Sequence, residues 1–273
     1  QILAILSAAG SRQRHQFGQN FMIDQNLVRL VADAGAPAPG DVVIEVGPGT
    51  GTLTEEILFR GAEVVAVEID RDLAATLRTR LADRPGFRLI EGDALAGKHE
   101  LNGELLSAIS SARSAGRPVK LIANLPYNIA SPLVIELLLA GVDLLAFTVQ
   151  REVADRLRGQ PSTEDYGTLT VMTQMLADVE ILRVLPPQAF WPAPKIESAL
   201  VRLTRRDRLG ETARPFGEFL RRLFSARRKM LRKTLGEMCD NAESVLLSLC
   251  IPPTARPEEV DPEALLRLFQ RVH

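Results

Sequence analysis

Between Asp41 and Gln150 the chain repeats one pattern: a short apolar run of strand length, a polar or glycine-rich end, then apolar residues at helical spacing. Asp41–Val46 ends in Gly47-Pro48-Gly49-Thr50-Gly51, after which Leu53, Ile57 and Leu58 recur as on one helix face. Glu63–Val67 ends in Glu68-Ile69-Asp70 and leads into a helical pattern over Leu73–Leu81. Phe87–Ile90 ends in Glu91-Gly92-Asp93, and Val119–Ala123 in Asn124-Leu125-Pro126-Tyr127. Ser131–Leu139 then reads as a helix and Leu144–Gln150 as a fifth strand. Strands that alternate with helices and carry no polar alternation of their own predict an α/β fold, an open parallel sheet covered on both faces, with ligands over the strand ends.

The remainder of the chain is less regular. Gly97–Arg117 is a long polar connection with a helix expected over Glu104–Arg113, and it is expected to be a surface insertion. Leu169–Leu185 and Ser198–Leu203 suggest further strands closing the sheet. After Arg206 the texture changes to short basic helices over Phe216–Leu235, a proline-bounded turn over Ile251–Pro257 and a last helix, Pro262–Val272. The expected division is therefore 1–206 for the sheet domain and 207–273 for a small basic helical domain.

Composition narrows the function classes. Apolar residues make up 46% and charged residues 25% of the 273, which excludes a disordered chain or a rod. No run approaches the roughly 20 apolar residues of a membrane span, and Ile2–Leu6 with Ser7–Ala9 is too short for a signal peptide and has no basic leader; a short helix or a truncated N-terminus is expected there. Two cysteines, Cys239 and Cys250, and three scattered histidines supply neither a disulfide framework nor a zinc site, so metal-free chemistry in a reducing compartment is expected.

Net charge is -1, yet its distribution is uneven. Arg202–Lys233 holds twelve basic residues against Asp207, Glu211 and Glu218, +9 in 32 residues. A solvated helix face is the bland alternative; a polyanion-binding face is the pointed one, with Arg221, Arg222, Arg227, Arg228, Lys229, Arg232 and Lys233 at its centre.

The strand ends carry the chemistry. Gly47-x-Gly49-x-Gly51 lets backbone approach a ligand and aims helix amides at it. The third glycine comes one residue too early for a dinucleotide fingerprint, which favours a nucleoside ligand without pyrophosphate. Glu68, 17 residues beyond Gly51, stands where a carboxylate accepts ribose hydroxyls, and Asp93 where one accepts from an adenine amino group. Ile69 and Ala94 flank these acids.

Asn124-Leu125-Pro126-Tyr127 resembles the motif of methyltransferases that act on exocyclic amino groups. Such nitrogen has its lone pair delocalised into the ring; the Asn124 amide oxygen and the Leu125 carbonyl can accept its two N–H bonds and localise the pair for attack on the methyl of S-adenosylmethionine. Pro126 stiffens the turn, and the Tyr127 ring offers a stacking face for an extruded base. A plain turn is the alternative reading.

With Gln16–Met22, Glu45–Gly51, Glu68–Asp70, Gly92–Ala94, Gln150–Leu157, Tyr166-Gly167, Phe190–Val201 and Phe224–Lys229 added, the chain from about residue 12 to 235 resembles the KsgA-type ribosomal RNA adenine dimethyltransferases. The resemblance implies a Rossmann-like S-adenosylmethionine-dependent methyltransferase sheet with a small helical C-terminal domain. It also implies that Asn20 and Met22 help hold the cofactor, that Gly47 lies beneath it, and that Phe190 stacks on the base opposite Tyr127. The implied partner is small-subunit ribosomal RNA or a pre-ribosomal particle, met by a cytoplasmic monomer. Methyltransferases acting on large-subunit RNA or on DNA share the motif chemistry, and a non-catalytic assembly factor would share the fold. Trp191 beside Phe190, the length of Gly97–Arg117 and the slightly acidic balance depart from the family pattern.

Overall fold

The computed structural model describes residues 20–97 and 99–273. Ile2–Ala9 and Gln16–Gln19 lie outside the described residues. Packing divides the chain into two units, one running up to Ala154 and including Glu180–Arg205, the other made of Asp155–Val179 and Arg206–His273.

The first unit is built on a seven-stranded sheet. In chain order its strands are β2 (Val42–Val46), β3 (Glu63–Glu68), β4 (Phe87–Glu91), β7 (Val119–Asn124), β8 (Leu144–Gln150), β9 (Ala177–Leu185) and β11 (Ser198–Arg205), arranged β4-β3-β2-β7-β8-β11-β9. All five residues of β2, and every residue of β3 after Glu63, are buried. Their valine-rich runs, interrupted only by Glu45, reflect a sheet with helices on both faces, where alternation would waste one side. Helix Gln25–Gly35 begins at Asp24, whose carboxylate accepts from Asn26 N–H at 2.8 Å. Its buried Val28 and Val31 join Val43, Val64, Ile122, Ala146 and Leu200 in one core.

From β2 the chain steps outward through β3 to β4, then returns to place β7 on the other side of β2. That reversal leaves a crevice above the carboxyl ends of β2 and β7, the usual ligand position in open α/β sheets. The return passage is Gly97–Arg117. It is no surface insertion: after the hairpin of β5 (Leu95–Gly97) with β6 (Glu100–Leu101), helix Gly103–Ser114 buries Leu105, Ala108, Ile109 and Ala112. A parallel crossover needs such a helix, and Asn102 caps it by accepting from Glu104 N–H at 2.9 Å.

The further strands expected to close the sheet join it with a change of direction. β11 runs antiparallel to β8, from Ser198 opposite Gln150 to Thr204 opposite Leu144. Only the second half of Leu169–Leu185 is strand; Thr168–Leu176 is a helix. Leu169, Val171, Met172, Met175 and Leu176 are all buried in it together with Thr170 and Thr173, so no exposed face sets it apart from a buried strand.

The second unit carries helices Thr168–Leu176, Ala213–Ser225, Leu231–Leu235, Ala242–Ser248 and Pro262–Val272. The boundary expected at 206/207 adjoins one of the observed divisions, but Asp155–Val179 packs with the C-terminal residues rather than with the sheet unit that precedes it. The reason is Tyr166: its wholly buried ring meets Phe224 edge-on at 6.0 Å and its hydroxyl donates to the Val260 carbonyl at 2.6 Å. Phe216, Phe219 and Phe269 form a second aromatic cluster in this unit. Tyr166→Phe leaves the Val260 carbonyl buried without its donor, so a loss of about 1 to 3 kcal/mol is expected. A chemical-denaturation midpoint that does not move would show that this bond contributes nothing net.

Candidate active site

The glycine turn is stitched into the sheet at its start. Gly47 N–H donates to the Val67 carbonyl at 2.9 Å, linking the end of β2 to the end of β3, and Gly92 N–H extends the seam to the Glu68 carbonyl at 2.9 Å. Gly49 has φ 59°, in the region that favours glycine. A Cβ there would lie 2.8 Å from the Phe21 ring, so the ring sits directly on bare backbone.

Glu68 locks this geometry. Only 4% exposed, it accepts from Gly49 N–H at 3.2 Å with one oxygen and from Asp70 N–H at 2.9 Å with the other. Burial pushes its carboxyl up to about 7, although both N–H bonds pull the other way. Beneath it Glu45, on β2, is buried completely and accepts from the Thr54 hydroxyl at 2.6 Å. Burial, with the nearby Glu68 charge adding to it, pushes Glu45 up to about 8. Asp93 is exposed at the end of the next strand, and its carboxylate accepts from Leu95 N–H at 3.0 Å.

The Asn124–Tyr127 loop closes the other side. The Asn124 side chain donates through its nitrogen to the Asn20 backbone carbonyl and accepts at its oxygen from the Thr148 hydroxyl. Leu125 is buried, its N–H bonded to the Thr148 carbonyl at 3.3 Å. The Tyr127 hydroxyl lies 2.7 Å from Ser198 Oγ, and burial raises its phenol above the usual range.

One cleft thus gathers Asn20, Gly47, Gly49, Glu68, Ile69, Asp93, Ala94 and Asn124–Tyr127, all expected from sequence. Three expected residues do not line it. Gly51 caps helix Thr52–Phe59, where a Cβ would come within 2.8 Å of Leu77, so it serves helix packing. Met22 and Phe190 face each other across the two-residue ladder of β1 (Phe21–Met22) and β10 (Phe190–Trp191), and both are buried in the core of the sheet unit. The pleat turns their neighbours, Phe21 and Trp191, to the opposite face. Phe21, Val67, Leu73, Asn128 and Ile129 also line the cleft and are missed by sequence reading. Phe21 alone left a signal, its place inside the matched Gln16–Met22 segment.

The basic segment is partly spent on the protein itself. Arg227 donates to Glu258 at 2.6 Å and to the Glu164 carbonyl at 3.2 Å, partners remote in sequence that helical spacing could not reveal. Arg221 lies 3.9 Å from Glu218. Arg222, Arg228, Lys229, Arg232 and Lys233 are exposed and have no acidic partner among the described residues. Among the described residues no group of His, Cys, Asp or Glu is placed to hold a metal, and no helix is long and apolar enough to cross a membrane.

The two buried acids have a consequence for stability. Each holds its proton more tightly in the folded than in the unfolded chain, where the carboxyl titrates near 4.5. Their stabilising contribution is complete below that value and is lost as pH rises, through about 7 for Glu68 and about 8 for Glu45. The denaturation midpoint is therefore expected to fall from about pH 5 to about pH 9, and Glu45→Gln to lessen that fall by an amount on the order of a few kcal/mol. Parallel pH profiles for the two proteins would show that Glu45 ionises without cost.

Comparison with known proteins gives this geometry its family. A family model described as ribosomal RNA adenine dimethylase matches residues 10–273. Ribosomal RNA small subunit methyltransferase A of Hahella chejuensis is 39% identical over 269 residues, 97% of this chain and 94% of the relative. The protein of the same name from Synechocystis sp. is 38% identical over 278 residues, covering 94% and 95%. Among solved structures, the 23S rRNA methyltransferase ErmE matches with TM-score 0.65 and 28% identity over 93% of this chain and 99% of its own. A dimethyladenosine transferase from Plasmodium falciparum matches in fold, with TM-score 0.71 at 21% identity over 91% and 95%. The chain belongs to the ribosomal RNA adenine dimethylase family, enzymes that take their methyl group from S-adenosylmethionine.

Proposed function

We propose that the protein dimethylates the exocyclic amino groups of two adjacent adenines in small-subunit ribosomal RNA during ribosome assembly, as a cytoplasmic monomer. The observation that carries the chemistry is the Asn124 amide, held at the cleft by two partners, with its nitrogen identified by the acceptor-only Asn20 carbonyl and its oxygen therefore turned to Thr148.

The cleft suits S-adenosylmethionine on its own terms. Gly47 and Gly49 leave a floor without side chains, and the Glu68 carboxylate lines the cleft beside it, where it can accept from ribose hydroxyls. Exposed Ile69 and buried Ala94 offer apolar contact to an adenine ring whose amino group Asp93 would accept. The cofactor supplies an electrophilic methyl group on a sulfonium. The protein's share is to hold the target nitrogen. Asn124 and the Leu125 carbonyl accept its two N–H bonds, the Tyr127 ring stacks on the base, and the nitrogen gains a carbon as the sulfur gives one up. The surplus proton leaves to water, since a methylated ammonium-like nitrogen is acidic, and a strong base is unnecessary.

Small-subunit RNA is the favoured substrate because relatives near 40% identity over almost the full chain carry that name, whereas ErmE, a large-subunit enzyme, is 28% identical. Labelled S-adenosylmethionine offered with immature small subunits, large-subunit RNA or DNA, followed by mapping of modified nucleosides, separates these readings. Label is expected in small-subunit dimethyladenosine alone, and Asn124→Ala is expected to slow its appearance by about a hundredfold with cofactor affinity nearly unchanged. Label in another substrate only would overturn the assignment.

We also propose that the exposed cations of 222–233 meet RNA phosphate. Arg228, Lys229 and Arg232 changed together to Ala are expected to reduce the slope of log affinity against log salt by about two units. Arg227→Ala should instead lower stability, through loss of Glu258. A triple variant with unchanged RNA affinity and salt dependence would make this an ordinary solvated face.

A further inference from the structure

Two buried hydroxyls stand behind the catalytic loop, one against each of its polar side chains. Thr148, on β8, pairs with Asn124 of β7 on one side and with Leu200 of β11 on the other. Ser198, on β11, pairs with Gln150, two residues along. Their side chains therefore share one face of the sheet. Both are wholly buried, in strands otherwise filled by Leu145, Phe147, Val149, Leu200 and Val201.

The chemistry fixes which atom of Asn124 points where. The Asn20 backbone carbonyl can only accept, so the amide group facing it is the nitrogen. The oxygen is then turned to Thr148, whose hydroxyl must donate. That bond uses one lone pair and leaves the other for an adenine N–H. Ser198 does the same service for Tyr127: it fastens the hydroxyl at the far end of the ring at 2.7 Å, so the ring cannot swing away from the cleft about its Cα–Cβ bond.

We infer that Thr148 and Ser198 are positioning residues for methyl transfer, Thr148 aiming the Asn124 oxygen at the amino group and Ser198 holding the Tyr127 ring in place over the cleft. The inference rests on the proposed adenine chemistry. Misplacement of a reacting group by about 1 Å can cost a hundredfold in rate, whereas neither hydroxyl lines the cleft floor that would hold the cofactor.

The test compares Thr148→Val, Thr148→Ser, Ser198→Ala, Asn124→Ala and Tyr127→Phe with the doubles Thr148→Val/Asn124→Ala and Ser198→Ala/Tyr127→Phe. Melting temperature, cofactor dissociation constant, kcat and KM are measured on immature small subunits. Thr148→Val and Ser198→Ala are expected to lose about tenfold in kcat with cofactor affinity unchanged. Thr148→Ser, which keeps the donor, is expected to recover most of that loss. Each double should be no slower than its Asn124 or Tyr127 single, because the hydroxyl acts only through that partner. Wild-type kcat in the folded hydroxyl variants, or losses that multiply in the doubles, would overturn the inference while leaving the methyltransferase reading intact. A wild-type protein that methylates none of the RNAs would remove the reading, and this inference with it.

Discussion

Glu68 joins the pieces of the cleft. One of its oxygens holds Gly49 N–H and the other Asp70 N–H, so the glycine turn after β2 and the helix start after β3 are fixed by one carboxylate. Asp70 then caps helix Arg71–Leu81 by accepting from Asp72 and Leu73 N–H groups. Across the turn, Phe21 lies on Gly49, and Asn20, the residue before it, receives the Asn124 amide. A chain of short contacts therefore runs from β3 through the turn and β1 to β7. A Cβ at Gly49 would run into the Phe21 ring, and an apolar residue at Glu68 would release the N–H groups of Gly49 and Asp70, so neither position tolerates substitution.

The parallel core of the fold was legible because burial on both faces leaves a simple trace, short valine- and isoleucine-rich runs with polar ends. The same rule hid the rest. Thr168–Leu176 is mostly buried, its threonines included, and a short apolar-rich run of this kind reads as strand as readily as helix. The antiparallel direction of β11 depends on where the chain re-enters the sheet, which local pattern does not encode. Gly97–Arg117 looked like an insertion because its solvent face is polar, although Leu105 and Ile109 are wholly buried.

In the site, residues whose chemistry is tied to a strand end were readable: Glu68, Asp93 and Asn124 stand where a ligand over the sheet would need them. Met22 and Phe190 lie off the cleft lining, and their motifs do not say which face of a two-residue ladder they occupy. Arg227 reads from sequence as surplus charge because Glu258 is 31 positions away, outside any helical neighbourhood. Thr148 and Ser198 left only a faint mark, a hydroxyl in an otherwise apolar strand. Such a residue costs free energy when buried unless it finds a partner, and here each partner is a polar side chain of the cleft.

That cost is concentrated where the chemistry lies. Glu45 and Glu68 are carboxyls whose proton affinity burial has raised, and Gly47 and Gly49 hold backbone that other residues avoid. Features of this kind persist only where the surroundings over-determine them. The surroundings here are the fully buried strands on either side, Val64–Val67 and Leu121–Ala123, which fix where the backbone leaves the sheet before any site residue is reached. The apolar layer thus sets the positions, the backbone seam from Gly47 to Gly92 sets the spacing, and the polar side chains are left with orientation alone. Orientation is the one property that a single buried hydroxyl can control, which is why Thr148 and Ser198 act where they do.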